Sequence, residues 1–235
     1  MGGERHWLLG ELARAGRENL DPGHVSRYDD KEDASAREEL ALLRSLGLGP
    51  ASCLVDLGAG TGQLSLAAAP HCARVTAVDV SPVMLSLLRG KVAAAGLSNL
   101  DVVQAGFLTY EHAGEPADFV YSRYALHHIP DFWKALALGR MRQALRHGGV
   151  LRLWDVVYGF EPGDAHARLE AWCASLDGQD DAGGWTRADI EEHVRDEHST
   201  FTWLLEPMIE RAGFRIEEAV YSDDRIFARY VARAE

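Results

Sequence analysis

The chain has 235 residues, 47% of them hydrophobic, enough to bury one substantial core, and a single α/β domain carrying extra elements is expected. Its formal net charge of -12 would repel a phosphate backbone, which argues against a nucleic-acid partner. Cys53, Cys72 and Cys173 form no CxxC pair, so neither a disulfide framework nor a cysteine zinc site is expected, and a reducing cytoplasm fits.

In chain order, the opening stretch MGGERHWLLGELARAG is charged and its apolar run is too short for a signal peptide. No later segment has the roughly 18 apolar residues of a spanning helix, so no membrane partner is expected. Residues 1–47 read as a polar helical segment lying outside the rhythm that follows. Within it, SAREELALLRSLG (35–47) aligns Ala36, Leu40, Leu43 and Leu46 or Gly47 along one helix face. Such a segment, carrying Tyr28, is expected to act as a lid.

From Cys53 onward, strand-like and helix-like periods alternate, the pattern of a parallel sheet covered by helices. Strands are expected at 53–57, 74–78, 100–104, 117–122 and 150–156. A helix from Gly62 stops at Pro70, and Ser81-Pro82 supplies a cap and a first-turn proline for a helix closed by Gly96. Asp131 is read as the cap of a helix running to His147. Residues 48–158 thus form a doubly wound core. Residues 159–200, rich in acids and holding Trp172, Trp185 and several histidines, read as an insertion capping the substrate side, broken at Gly178, Gly183 and Gly184. Residues 201–235 read as a helix followed by two antiparallel strands around Ser222-Asp223-Asp224.

The most informative stretch is Val55-Asp56-Leu57-Gly58-Ala59-Gly60-Thr61-Gly62. A strand followed at once by glycines and a helix brings backbone N–H groups and a positive helix end against a ligand. The spacing is GxGxG, where a dinucleotide fold needs GxGxxG, and position 63 is Gln. Asp56 at the strand end suits an ammonium better than a pyrophosphate. Asp79, nineteen positions beyond Gly60, has the spacing of an acid that accepts from a ribose diol.

With VDLGAGTG, VTAVDVS, DFVYSRYALHHIPD and LRHGGVLRL on one chain, the sequence resembles the class I S-adenosylmethionine-dependent methyltransferases of the small-molecule kind. The resemblance implies a Rossmann-like sheet, mostly parallel with a reversed last strand, and S-adenosyl-L-methionine as cofactor, with S-adenosyl-L-homocysteine as product. It places Asp56, Gly58, Ala59 and Gly60 at the methionyl end, Asp79 on the ribose, and Val80 and Met84 beside adenine. The family often has an acid after the third strand for the adenine amino group, whereas this chain has Gly106, followed by Phe107. The strand-four end, Ser122, Arg123 and Tyr124, would run beneath the sulfonium. No Asn/Asp-Pro-Pro-aromatic turn follows the fourth strand, which argues against amide and nucleobase nitrogens as acceptors and for a small molecule.

For proton transfer, His128 is the candidate base, His127 its alternative and Tyr28 an orienting partner, since an imidazole can take a proton near neutrality. The other reading is that both histidines pack the loop. Asp155 is expected to be a solvated strand end, and no residue is assigned to a metal. A cofactor-binding scaffold without methyl transfer, and a nicotinamide oxidoreductase, remain as rivals because fold alone does not choose a reaction.

Overall fold

The computed structural model describes residues 6–16, 18–31, 35–177 and 185–235. Its strands are β1 (Cys53–Leu57), β2 (Arg74–Asp79), β3 (Leu100–Gln104), β4 (Ala117–Arg123), β5 (Leu145–Tyr158), β6 (Thr200–Phe201), β7 (Phe214–Tyr221) and β8 (Phe227–Ala234). The sheet order is β3-β2-β1-β4-β5-β8-β7, with the short β6 pairing with β5. Strands β1 to β5 pair with one another in parallel, and β8 runs antiparallel to both β5 and β7. This is the Rossmann-like sheet with a reversed last strand. The C-terminal hairpin differs from expectation in one respect: β8 is interior, between β5 and β7, and only β7 is the edge. Its composition explains the placement, because Ala228, Tyr230, Val231, Ala232 and Ala234 are all buried whereas β7 keeps exposed polar positions.

The helices are α1 (Pro22–Val25), α2 (Tyr28–Lys31), α3 (Ala36–Ser45), α4 (Gln63–Ala68), α5 (Pro82–Ala95), α6 (Asp131–Ala144), α7 (Ala165–Ala174), α8 (Arg187–Asp196) and α9 (Thr202–Arg211). Helix α5 starts where Ser81 accepts the Met84 N–H and stops at Gly96, whose φ of +64° suits a residue without Cβ. Helix α6 begins one residue earlier than expected, with Pro130 as its cap and Asp131 already in the first turn, where its carboxylate is engaged by Lys134 and Thr200. It ends at Ala144, short of His147, and β5 starts at Leu145 with a register break opposite Ala117/Phe119.

One face of the sheet packs Leu57, Val120, Leu138, Met141 and Ile209 beneath α6 and α9; the other packs Leu54, Val75, Phe119, Leu43 and Leu85 beneath α3, α4 and α5. The segment expected as one lid therefore divides. Helix α3 belongs to a core layer: Leu43 is fully buried, and buried Glu39 receives a two-pronged bond from Arg152 of β5 at 2.8 and 2.7 Å. Only the part up to α2 lies over the ends of the strands.

In the insertion, α7 and α8 pack together, and α8 opens with a capping box between Thr186 and Asp189. Trp172 joins a small cluster with Val156, Tyr158, Phe160 and Ile226, as a core residue would. The breaks expected at Gly178, Gly183 and Gly184 lie outside the described residues. Among the described residues, no helix is long and apolar enough to cross a membrane.

Candidate active site

The chain moves from β1 to β2 and β3 in one direction and to β4 and β5 in the other, so a crevice opens at the carboxyl ends of β1 and β4, where ligands bind in such sheets. The glycine turn forms its floor. Gly58 and Ala59 donate their N–H groups to the Val78 carbonyl at 2.8 and 3.0 Å, fastening the turn to β2. Gly58 has φ +76°, and a Cβ there would meet the Ala125 Cβ at 2.3 Å. Gly60, at φ +53°, has nothing within 4 Å of where a Cβ would stand. One glycine lets two chain segments approach; the other borders open space.

Asp79 anchors this floor, since its Oδ2 accepts from the Gly60 N–H and its Oδ1 from the Ser81 N–H, each at 2.8 Å. Burial pushes its pKa above the ordinary carboxylate value, against the lowering effect of those bonds. Asp56 lies below the turn, only 3% exposed, and accepts from the Ser65 hydroxyl at 2.6 Å. Burial, with Asp79 adding repulsion, pushes Asp56 up to about 7.

The N-terminal segment closes the other side. Ser81 Oγ donates to the Asn19 carbonyl at 2.6 Å, and Asp29 accepts from Thr61 and Lys91. Glu11, only 8% exposed, reaches the turn after β3, where its Oε2 accepts from the Leu108 N–H at 3.1 Å while its Oε1 has no hydrogen-bond partner. The carboxyl group occupies the space a Cβ on Gly106 would need, 2.3 to 2.4 Å away. This crevice measures about 80 Å³, below the roughly 300–1,000 Å³ of a typical small-molecule site, because the N-terminal segment packs into it.

A cavity of about 1060 Å³ adjoins the crevice, and Asn19, Tyr28, Arg123, Tyr124 and His128 line both. Tyr124 holds φ +48°, a left-handed backbone rare for a bulky residue. The Arg123 guanidinium lies 4.5 Å above the Tyr124 ring and 4.4 Å above that of Trp154. On the insertion side, Trp185, His193 and Glu197 complete the wall. His127 Nδ1 and Asp155 Oδ1 are 2.5 Å apart and both residues are buried, so Asp155 is not the solvated strand end expected. Asp155 and the Glu197 carboxylate hold the His127 pKa up at about 10 against its burial. Burial, helped by His127, pushes His128 down to about 4, which leaves it neutral with Nδ1 unpartnered.

Of the residues singled out from sequence, Gly58, Gly60, Asp79, Val80, Met84, Gly106, Phe107, Arg123, Tyr28 and His128 face the small crevice. His127 faces only the large cavity, while Asp56, Ala59 and Ser122 line neither. Ser122 is completely buried. Tyr124, read with Ser122 and Arg123, lines both cavities, whereas Glu11, Asp155, His193 and Glu197 enter the site without having been assigned to it. His193 and Glu197 carried a local signal, a histidine and a carboxylate four positions apart. Glu11 carried none, because its partners lie some ninety-five residues away.

The lining groups are of the kind a nucleoside needs: an open floor at Gly60, a two-oxygen acid at Asp79 and an unpartnered carboxylate oxygen at the far end. Sheet order and site together define a Rossmann-like α/β protein with a crevice at its switch point. Residues 54–149 match the family model described as a methyltransferase domain. The chain is 31% identical over 156 residues to an uncharacterized methyltransferase of Exiguobacterium sibiricum, covering 66% of this chain and 68% of that one. It is 25% identical over 194 residues to an uncharacterized methyltransferase of Anoxybacillus flavithermus, covering 83% and 82%. It belongs to the class I S-adenosylmethionine-dependent methyltransferases. By contrast, it spans 48% of the length of a trans-aconitate 2-methyltransferase of Paracidovorax citrulli, at 33% identity over 135 residues, 56% of this chain. Among solved structures, the N-methyltransferase NodS of Bradyrhizobium japonicum WM9, crystallised with S-adenosyl-L-homocysteine, shares the fold with a TM-score of 0.63 at 19% identity, covering 95% of this chain and 98% of that one.

Proposed function

We propose that the chain transfers a methyl group to a small-molecule acceptor held in the 1060 Å³ cavity, with the cofactor lying over Gly60 and Asp79. The carrying observation is that crevice and cavity meet at Tyr28, Arg123, Tyr124 and His128. An acceptor in one can thus approach a donor in the other without crossing water. S-adenosylmethionine supplies a methyl group already activated on a sulfonium. The chain's task is then mainly alignment in a dry site, which can be worth about 7–11 kcal/mol in favourable intramolecular cases.

In this reading Asp79 accepts from the ribose hydroxyls through the lone pairs left by Gly60 and Ser81. Glu11 takes the place of the acid missing at position 106, its Oε1 accepting from the adenine amino group. Asp56 acts from beneath, by supporting the turn. Neutral His128 receives the proton of an acceptor hydroxyl or ammonium, and the described residues between 6 and 31 together with α7 and α8 enclose the pair. Incubation with methyl-labelled cofactor and a fractionated metabolite extract, followed by mass analysis, tests the reading. A labelled product heavier by one methyl group is expected. Release of S-adenosylhomocysteine from no fraction, with the cofactor bound, would favour a scaffold instead.

A further inference from the structure

On the wall of the large cavity, two imidazoles and a carboxylate aim at one point. Glu197 Oε2 lies 2.5 Å from His193 Nδ1 and 3.1 Å from His127 Nε2, yet it makes no well-angled hydrogen bond to either. The three donor atoms lie within 4.8 Å of one another. The second nitrogen of each ring is held from behind: His127 Nδ1 by Asp155 Oδ1 at 2.5 Å, and His193 Nε2 by Ser199 Oγ at 2.8 Å. Those outer contacts fix each ring's rotation and direct the other nitrogen inward, as seen around histidines that bind metals. Trp172 packs its edge on His193, with ring centroids 5.5 Å apart, which further limits that ring.

We propose that His127 Nε2, His193 Nδ1 and Glu197 Oε2 form a site for one first-row divalent transition metal ion, of which zinc is the type. Bonds of about 2.0–2.2 Å place ligand atoms of a tetrahedral site roughly 3.3 Å apart. The Glu197 and His193 atoms therefore open slightly and the widest pair closes, within the reach of side-chain rotations. A two-histidine, one-carboxylate set suits zinc, iron, cobalt or nickel better than magnesium or calcium, which prefer all-oxygen shells. The ligands come from both sides of the cavity, His127 from the turn after β4, and His193 and Glu197 from the insertion. Binding thus clamps the insertion to the sheet.

Three protein ligands leave a coordination position open, and because all three residues line the cavity, that position faces the acceptor. The class of acceptor this selects is one with an oxygen or nitrogen lone-pair donor near the methylated atom. The metal site rests on the geometry alone, whereas its role as an acceptor anchor rests on the methyl-transfer reading above.

The test uses the full chain freed of metal by chelator dialysis and titrated with cobalt(II) chloride, then with zinc chloride. Visible ligand-field absorption and calorimetry should report one equivalent per chain. Ser199→Ala should weaken binding by roughly 10–100-fold, the usual effect of losing an outer-shell partner. His193→Ala and Glu197→Gln should weaken it further, and His166→Ala, which alters an exposed histidine of α7, should leave it unchanged. Circular dichroism and cofactor affinity of each variant establish that it is folded. Failure of the wild type to take up one equivalent, or equal uptake by His193→Ala and Glu197→Gln, overturns the site. Cofactor calorimetry on the same samples separates the two readings, since lost cofactor binding counts against methyl transfer and leaves the metal result standing.

Discussion

Glu11 and Gly106 share one volume. The Glu11 carboxyl carbon lies 2.3 Å from the position a Gly106 Cβ would take, so the absence of a side chain after β3 is what admits an acid from the N-terminal segment. Glu11 Oε1 is left buried without a partner, and burial raises the Glu11 pKa. An acceptor in that state costs stability until a donor reaches it. Glu11→Ala is expected to weaken S-adenosylmethionine binding by about 1.5–3 kcal/mol, the range for a hydrogen bond to a charged group. Calorimetry showing tighter binding in Glu11→Ala would mean that Glu11 only plugs the crevice.

Asp79 has a dual duty, and two substitutions separate its parts. Asp79→Ala strips the partner from two backbone N–H groups and also removes the diol acceptor. It should lower cofactor affinity by roughly 1.5–3 kcal/mol and reduce the melting temperature. Asp79→Asn retains one acceptor oxygen and should recover much of the stability but less of the affinity. Unchanged affinity in either folded variant would remove Asp79 from the binding site.

Asp56 makes stability depend on pH. Its folded pKa, about 7, lies above the value of roughly 3.9 for an exposed aspartate. The folded state then binds the proton more tightly than the unfolded one, and stability is greatest below about pH 4 for this group. It is lost progressively as pH rises to about 7 and is level above that. Asp79, also raised, acts in the same sense. Asp56→Asn should flatten this slope and stabilise the ligand-free chain at pH 8 by on the order of 2 kcal/mol. Denaturant melts of both proteins from pH 4 to 8 check it, and parallel curves would show that Asp56 ionises without cost.

The Glu39–Arg152 pair is buried on both sides. Arg152→Met leaves a carboxylate unpaired in the core and should cost about 3–5 kcal/mol, whereas adding Glu39→Gln or Glu39→Met should restore much of that loss. A double-mutant cycle in urea measures the coupling. Additive losses would mean that the pair acts only through its separate packing.

His128 separates proton transfer from packing. Because His128 lines both cavities, His128→Ala is expected to lower kcat by about 10²–10⁴-fold while cofactor affinity stays near that of the wild type. Equal kcat per folded molecule in His128→Ala would leave alignment as the whole of the catalysis.

Local chemistry was enough to reveal the frame. The glycines at 58, 60 and 62, the acids at 56 and 79, the Ser81-Pro82 start and the alternation of apolar periods each act over a few residues, so the β-α order and the glycine turn at the strand ends could be read directly from the chain. Even within that frame, local reading put Asp56 beside the ligand, whereas folding turned it beneath the loop toward Ser65. The remaining features arise between distant residues. Glu11 meets the turn after β3, Glu39 meets Arg152, and Asp155 meets His127 only once the sheet has assembled. The same holds for β8, whose interior place follows from pairing with β5 rather than from its hairpin. Sequence determines which groups are available and how neighbours along the chain are spaced. Burial and the convergence of charges depend on packing from both faces of the sheet, and that decided which acids are strained, which histidine is neutral and which side chains share a cavity.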